Sequence, residues 1–359
     1  PDTGFYCGYA YANVSANRAS MERVNSYISA NYDVSENVEV FVDAVVSNNE
    51  SFGRYAPPAA PGTMLASNPK NPYGVDVNGY FRWTDIGTRD NVVNDTMVDV
   101  NVGVNMDLAN DMALEAYYTY SDYRSTSIGK YYLSYGGFAE NVLYEVSDLD
   151  TYIANLKTTT LNDDRQRMQK VFAGLQFDLM EMAGGTAVGY VAAETFDVDY
   201  RADVDAQSEA GLVGGSAGNS AQGARSVKAI SAEAILPVTD FLEVDVAVRY
   251  DDYDDFGSEV SPRVGATFTM IDDLTIKASY GQGFRAPDLS DLYGATSFSA
   301  ENAVDYYGCS LDGVSENDCP NRQFDTYIGS NPNLDAETSE TMSLGCLLYT
   351  SDAADDDHC

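Results

Sequence analysis

Apolar and polar residues alternate with a period of two along many segments of this chain. Between residues 98 and 108 the even positions, from Val98 to Leu108, are apolar, and the odd positions are polar or small. This alternation is typical of a β-strand with one apolar and one polar face. It predicts about eleven strands, near residues 21–31, 37–47, 98–108, 111–121, 167–179, 186–199, 225–236, 242–251, 259–270, 274–281 and 338–345.

The connections between these segments alternate in length. Short links fall near residues 33–36, 110, 182–185, 237–240 and 272–273. Long links fall near residues 52–92, 124–165, 200–224 and 286–337, with one brief exception at 252–257. Long loops collect at one end of a sheet when every second connection is short, as in an up-and-down meander. We therefore predict an all-β, antiparallel up-and-down fold.

Strand length separates a membrane barrel from a soluble sandwich. Sandwich strands have about five or six residues, whereas about ten residues tilted by about 45° cross a bilayer, as these patterns allow. Asp99 and Glu243 on the polar face cannot lie unpaired in a dry core. A water-filled or protein-plugged lumen accepts them, so the pattern favours a transmembrane β-barrel. Tyrosines near the strand ends suit an interfacial aromatic girdle: Tyr117, Tyr118, Tyr120, Tyr123, Tyr250 and Tyr253.

Charge and histidine content exclude several classes of function. The 359 residues include 56 acidic and 20 basic side chains, and a formal net charge of -36 repels nucleic acid. The single histidine, His358, lies next to the last residue, so Ser-His-Asp and Cys-His catalysis and His-rich zinc sites are excluded from the rest of the chain. We predict no enzymatic activity, no cofactor and no resident metal. A run of about 18 apolar residues, as in a transmembrane helix, is also absent from the sequence.

Three ordered motifs resemble those of TonB-dependent outer-membrane receptors. Residues 279–289, SYGQGFRAPDL, are similar to the strand-to-loop signature of that family. Residues 331–339, NPNLDAETS, resemble the element that re-enters the barrel after a long extracellular loop, with Ala336 where the family usually has proline. The acidic segment 251–257 and Pro262 resemble the preceding hairpin. The motifs cover residues 225–345, and the rest resembles the family only in architecture.

The resemblance implies about half of a 22-stranded barrel, without the plug domain that the family's barrel encloses. It implies an active importer of ferric siderophores, cobalamin, haem or carbohydrates in the outer membrane of a Gram-negative bacterium. The implied partners are outer-membrane lipid, a small solute and the TonB energy-coupling complex, which acts through an N-terminal region that this sequence does not show. Two alternatives stay open: a passive porin-like or surface-adhesive barrel, and a soluble all-β extracellular protein.

The motif residues also have a structural interpretation. Gly281 and Gly283 leave room where a strand ends, and Pro287 cannot donate to a ladder and stops pairing. Asn331 and Pro332 set up a turn before the next strand. We expect the motif residues to shape the barrel rim, with Arg285 as the one that contacts inner charges. The set is Gly281, Gly283, Phe284, Arg285, Ala286, Pro287, Asn331, Pro332, Leu334 and Glu337.

Other loop residues suggest local sites. Cys309 and Cys319 in the loop 286–337 are predicted to form a disulfide in an oxidising compartment; two free thiols or a metal pair are the alternatives. The acidic residues between 251 and 259 suit calcium, although a solvated acidic rim is the simpler interpretation. Arg54, Tyr55, Trp83 and residues 131–135 are candidate ligand contacts, and the substrate-binding residues are otherwise unassigned.

The last residues form a segment of different character. Residues 346–355, CLLYTSDAAD, resemble one translated frame of a sequencing adaptor, and the alternation that begins at Thr338 ends at Gly345. We therefore expect residues 1–345 to be a partial receptor barrel with long extracellular loops, an internal fragment of a longer protein. Residues 346–359 are then an artefactual tail, with a natural acidic tail as the alternative.

Overall fold

The computed structural model describes residues 9–64, 66–67, 73–137, 149–216, 218–271 and 274–348. Its strands are β1 (Ser20–Ser35), β2 (Val38–Tyr55), β3 (Ala59–Met64), β4 (Val77–Arg82), β5 (Arg89–Asp107), β6 (Ala113–Ser134), β7 (Lys157–Met182), β8 (Gly185–Val204), β9 (Val213–Gly214), β10 (Ala221–Thr239), β11 (Leu242–Tyr253), β12 (Gly257–Ile271), β13 (Leu274–Arg285), β14 (Ser297–Val304), β15 (Asn321–Ile328) and β16 (Glu337–Leu348).

Helices occupy little of the chain and lie in its loops. They are α1 (Leu149–Leu156), α2 (Ala206–Glu209), α3 (Leu289–Tyr293) and α4 (Tyr306–Leu311), with single 3-10 turns at Tyr11–Asn13, Thr84–Ile86 and Glu316–Asp318. Among the described residues, none of these helices has the length and hydropathy needed to cross a membrane.

One antiparallel sheet contains the eleven predicted strands in a single path. Its order is β1-β2-β5-β6-β7-β8-β10-β11-β12-β13-β16, and β9 pairs with β6 beside this path. Neighbours in the path are also successive long strands along the chain, so the predicted all-β up-and-down meander is confirmed. Within the described residues β1 and β16 do not pair with each other, so the sheet has two free edges.

The strands are longer than the alternating patterns that predict them. They range from the 12 residues of β11 to the 26 residues of β7. At about 3.3 Å per residue and a tilt of about 45°, 26 residues rise about 60 Å, twice the hydrocarbon thickness of a bilayer. The upper half of the longest strands therefore stands above the membrane, and the predicted long loops begin later than expected. Two of these loops contain hairpins of their own, β3–β4 and β14–β15.

The register places apolar side chains on one face across the whole sheet. Val98 lies opposite Val46, and Ala232 lies opposite both Val191 and Val248. These side chains pack little against the protein: Val191 is 42% exposed and Val248 is 45% exposed. A continuous exposed apolar band of this size marks a membrane-contacting surface. We call these exposed side chains the apolar band and the face of the sheet that carries them the outer face. The opposite, polar face is the inner face.

The register also corrects the predicted aromatic girdle. Tyr118, Tyr120 and Tyr250 share the outer face with Val102, Val100 and Ile230, their cross-strand partners. Tyr117, Tyr123 and Tyr253 occupy odd positions and point to the polar inner face. There the Tyr117 ring stacks on Phe172 at 4.7 Å, and the Tyr123 hydroxyl donates to Asp95. Half of the predicted girdle therefore belongs to the lumen wall, because a one-residue step along a strand reverses the face.

The short turns use residues that tolerate left-handed backbone. Asn110 and Asp111 between β5 and β6 have φ values of 62° and 55°, and Gly185 begins β8 with a φ of 134°. Asn and Asp are the non-glycine residues that most readily adopt this region. The predicted link at 272–273 lies outside the described residues. The strand β16 continues through residues 346–348, and the rest of the predicted tail is not described, so the division at residue 345 stays a prediction.

Candidate functional site

The two signature motifs meet at the rim where β13 and β16 pair. Arg285 and Glu337 are directly opposite each other, as are Gly283 and Ser339. The Nη2 atom of Arg285 lies 2.8 Å from Asp288 Oδ2, and its Nη1 atom lies 3.7 Å from Glu337 Oε2. The arginine thus joins the first motif to the second through rim carboxylates. The Asn331 side chain closes the turn before β16 by accepting from the Asn333 N–H at 3.0 Å.

A buried arginine beneath the first motif was not predicted from the sequence. Arg225 on β10 donates from Nε to Asp255 Oδ2 at 2.7 Å and from Nη2 to the Pro287 carbonyl at 2.8 Å. Its guanidinium lies 5.4 Å from the Tyr253 ring centroid and 5.7 Å from that of Phe256. It therefore ties the acidic hairpin to the strand-to-loop signature. No local pattern around residue 225 signals this role, because all its partners are distant in sequence.

Phe284 completes the same aromatic cluster. Its ring meets Tyr253 edge-on at 5.8 Å and lies 6.4 Å from Phe256. These pairs add to the cation–π contacts of Arg225 and fix the rim where β13 ends. The β13 ladder ends at Arg285, two residues before Pro287, and helix α3 begins two residues after this proline. That the signature residues serve mainly to shape the rim stays a prediction.

Helix α3 folds onto the inner face of β10 and covers a small pocket. Leu292 is 2% exposed and Leu289 is 9% exposed against that strand. Gly223 permits this approach, because a Cβ there would lie 2.6 Å from Tyr293 Cδ2. The pocket has a volume of about 340 Å³, and its polar lining includes Gln166, Tyr200, Arg225, Tyr253, Asp288 and Ser290. The phenol hydroxyls of Tyr200 and Tyr253 are protonated at neutral pH, so they can donate hydrogen bonds into this pocket.

Three carboxylates of the 251–259 hairpin accept hydrogen bonds from protein groups. Asp251 accepts from Arg249, Asp255 accepts from Arg225, and Asp254 Oδ1 accepts from the Ser226 N–H at 2.9 Å. In the described part of the chain, no three His, Cys, Asp or Glu side chains form a group that could hold a metal ion. The geometry therefore favours a rim held by ion pairs over the calcium interpretation.

A second cluster at the rim combines cations with tyrosine rings. Arg89 lies 5.9 Å from the Tyr55 centroid and 5.8 Å from the Tyr132 centroid, and Lys157 lies 6.0 Å from that of Tyr131. Arg89 is at an odd position of β5, so it points to the inner face with Asp99 and Asn101. Gly215 beside it has a φ of 84°, a backbone conformation that favours glycine. The sequence singled out the tyrosines but missed the arginine.

Of the other predicted ligand contacts, Trp83 lies beneath the loops and Arg54 lies at the same rim as this cluster. Trp83 packs on a small core of Ile86, Leu133, Ile153 and Leu156 beneath the loops. Its neighbour Arg82 lies 5.4 Å from the Tyr9 centroid and 5.1 Å from that of Tyr11. Arg54 is on the outer face, where its Nε and Nη2 atoms donate to Asp90 at 2.7 and 2.8 Å.

The cysteines predicted to pair lie in the loop between β14 and β15. Their Sγ atoms form a disulfide, with Cα atoms of Cys309 and Cys319 5.9 Å apart. Asp305 caps the enclosed helix α4 by accepting from the Gly308 N–H at 2.8 Å. Tyr307 and Leu311 on this helix are 76% and 71% exposed. The disulfide therefore presents an apolar tip beyond the rim.

Comparison with known proteins supports the resemblance. A family model described as "TonB dependent receptor-like, beta-barrel" matches residues 13–353. The ferric enterobactin receptor PirA of Pseudomonas aeruginosa is 33% identical over 137 residues, which are 36% of this chain and 16% of that protein.

Solved structures share the fold at lower identity. The siderophore receptor PirA from Pseudomonas aeruginosa has a TM-score of 0.50 at 15% identity, covering 94% of this chain and 52% of that one. The RagAB peptide transporter has a TM-score of 0.53 at 13% identity, covering 91% and 38%. This chain thus spans about half the length of the siderophore receptor. Because the family model matches nearly all of it, and because its eleven strands and rim motifs agree, this chain belongs to the TonB-dependent receptors and forms part of their β-barrel.

Proposed function

We propose that the chain is the barrel portion of an outer-membrane receptor that takes up a ferric siderophore, energised by the TonB complex. Outer-membrane lipid and a small solute are then its direct partners, and the energy-coupling complex acts through the remainder of the receptor. The family supports transport over catalysis, and the named relative is a receptor for ferric enterobactin. Neither the family nor the named relative specifically favours the uptake of cobalamin, haem or carbohydrate.

The observation that carries the proposal is the cluster of aromatic-flanked cations at the rim, in which Arg89 points to the inner face. Arg89 between Tyr55 and Tyr132, and Lys157 above Tyr131, combine positive charge with π surfaces. A ferric catecholate chelate is an anion built from aromatic rings, so it can accept from the guanidinium and stack on the tyrosines. The cluster is thus a cationic surface in a chain whose formal charge is -36.

The single tryptophan provides the test. Trp83 packs on Leu133, the chain neighbour of Tyr132, so a coloured ferric chelate bound at the cluster will quench its emission. We expect saturable quenching when the protein in detergent micelles is titrated with ferric enterobactin. Arg89→Gln should weaken binding about tenfold, the effect of one charge-assisted hydrogen bond.

A matched variant separates a local effect from a global one. Arg201→Gln also removes one exposed arginine, but from the outer face of β8, away from the cluster, so it should leave the quenching curve unchanged. Linear, non-saturable quenching in the unchanged protein would contradict the siderophore proposal. Equal weakening by both variants would contradict the assignment to the Arg89 cluster.

A further inference from the structure

Three arginines lie directly opposite one another on β6, β7 and β8. Arg124 pairs in register with Arg165, which pairs in turn with Arg201. Residues in such positions have Cβ atoms about 5 Å apart, and like charges there are destabilising. The three side chains are 54%, 45% and 64% exposed. We call them the arginine row; it holds three positive charges where an external anion can reach them.

The arginine row lies on the outer face, just beyond the apolar band. On β6 the outward residues run from Leu114 through Tyr118 and Tyr120 to Asp122 and Arg124. Arg124 follows the start of β6 at Ala113 by about 36 Å along the strand and about 26 Å along the membrane normal, which is close to the height of about 25 Å of an apolar band. The headgroup region of one leaflet is about 5–8 Å thick. The arginine row is therefore at the height of the headgroups.

Carboxylates on the same face position the arginines without occupying them fully. Arg124 donates from Nε and Nη2 to the two oxygens of Asp163 at 2.8 and 2.6 Å. Arg165 uses the same two atoms to bind Asp122. These forked pairs fix the planes of these two guanidinium groups and leave their Nη1 edges available to a further acceptor. The third arginine, Arg201, is paired through Nε with Asp203 Oδ2 at 2.6 Å.

The surroundings of the row leave space for a ligand and little net charge to repel it. A cavity of about 830 Å³ lies beside the row, bordered by Gln222, Gly223 and Ala224 of β10. The same cavity is lined by four arginines and by three aspartates. With Asp122, the carboxylate partner of Arg165, the local formal charge is zero, because +4 from the arginines is offset by -4 from the aspartates. This patch can therefore approach an anionic surface that the chain as a whole repels.

We propose that the arginine row binds the phosphate group of a lipid in the outer leaflet, while the acyl chains of that lipid lie along the apolar band below. Paired arginine edges match the oxygens of a phosphate monoester in spacing and charge. The apolar band supplies the second half of the site, which a free phosphate ion cannot use. The ligand is accordingly a membrane lipid with an anionic phosphorylated headgroup.

Native mass spectrometry of the protein in detergent micelles tests this assignment. Phosphatidic acid, which carries a phosphate monoester, should bind at least about tenfold more tightly than phosphatidylcholine of the same acyl chains. Combining Arg124→Gln, Arg165→Gln and Arg201→Gln should abolish that preference. Excess inorganic phosphate should leave phosphatidic acid bound. Displacement of the lipid by inorganic phosphate would overturn the lipid assignment.

Two further variants guard against misfolding and non-specific charge effects. Arg54→Gln removes an outer-face arginine from another forked pair, away from the row, and should keep the preference for phosphatidic acid. Asp122→Asn with Asp163→Asn retains every arginine and removes competing carboxylates, so affinity for phosphatidic acid should rise about tenfold. Unchanged or weaker binding in this pair would overturn the proposal even if the arginine triple variant does not fold.

Discussion

Arg225 and Asp255 form an ion pair that is almost completely enclosed by the rim. The Nε–Oδ2 distance is 2.7 Å, and the side chains are 11% and 4% exposed. The arginine also reaches the Pro287 carbonyl, so one side chain connects β10, the acidic hairpin and the signature after β13. Removing it disconnects three elements at once.

Arg225→Ala should lower the free energy of unfolding by about 3–5 kcal/mol, because it leaves a buried carboxylate without its counter-charge. Denaturant unfolding in micelles measures this change. Arg285→Ala breaks the pair with Asp288, in which the side chains are 63% and 57% exposed, and should cost no more than about 1 kcal/mol. Replacing both partners, as Arg225→Met with Asp255→Leu, should recover most of the loss. Similar costs for the two single variants would contradict the role assigned to burial.

Two adjacent aspartates above the membrane should titrate in opposite directions. The hydrogen bond from Arg124 lowers the pKa of Asp163 below its ordinary 3.8, while burial raises the pKa of Asp164 above it. Asp163 therefore contributes stability that is present above pH 3.8 and lost as the pH falls through its lower folded value. The contribution of Asp164 to stability has the opposite pH dependence. Because its pKa is raised in the folded state, folding favours its protonated form, and its contribution is lost as the pH rises.

Carbonyl-detected NMR of aspartate side chains measures both titrations. In Arg124→Gln the pKa of Asp163 should return toward 3.8, and Asp164 should stay above that value, because burial is the main cause of its shift. Asp163 titrating unchanged in the variant would show that the arginine does not set its charge.

The disulfide should order its loop more than it stabilises the sheet. Its cysteines are separated by 10 residues, for which loop-closure entropy gives about 3 kcal/mol. Cys309→Ser with Cys319→Ser should therefore accelerate amide hydrogen exchange in residues 305–320 and leave β11 protected. Loss of protection across β11 as well would mean that the loop supports the barrel itself.

Gly223→Ala should displace helix α3 from the inner face. The added methyl group would meet the Tyr293 ring at 2.6 Å, and overpacking of this kind costs about 1–3 kcal/mol. Tyr293→Ala removes the clash, so the double variant should be less destabilised than the sum of the two single variants. Additive losses in unfolding experiments would show that this contact does not limit the position of the helix.

The alternation of apolar residues allowed the main sheet to be predicted nearly completely. In each predicted segment, such as Val98 to Leu108, successive side chains alternate between the two faces of the strand, and this alternation is a local property of the sequence. The same logic explains where the prediction was wrong: Tyr117 and Tyr253 were placed in the girdle by their nearness to strand ends, but register assigns them to the inner face. The polar upper halves of β6, β7 and β8 carry a weaker apolar pattern, so their extent was underestimated.

The sequence by itself determined the eleven strands of the main sheet, their order, the apolar band and the two rim motifs, because each depends on residues close together in the chain. Only the tertiary structure decided which distant charges meet. Arg225 finds Asp255, Arg89 finds Tyr55 and Tyr132, and Arg124, Arg165 and Arg201 form a row across three strands. These contacts depend on the register between strands, and register is fixed by pairing over the whole sheet and not by any one segment.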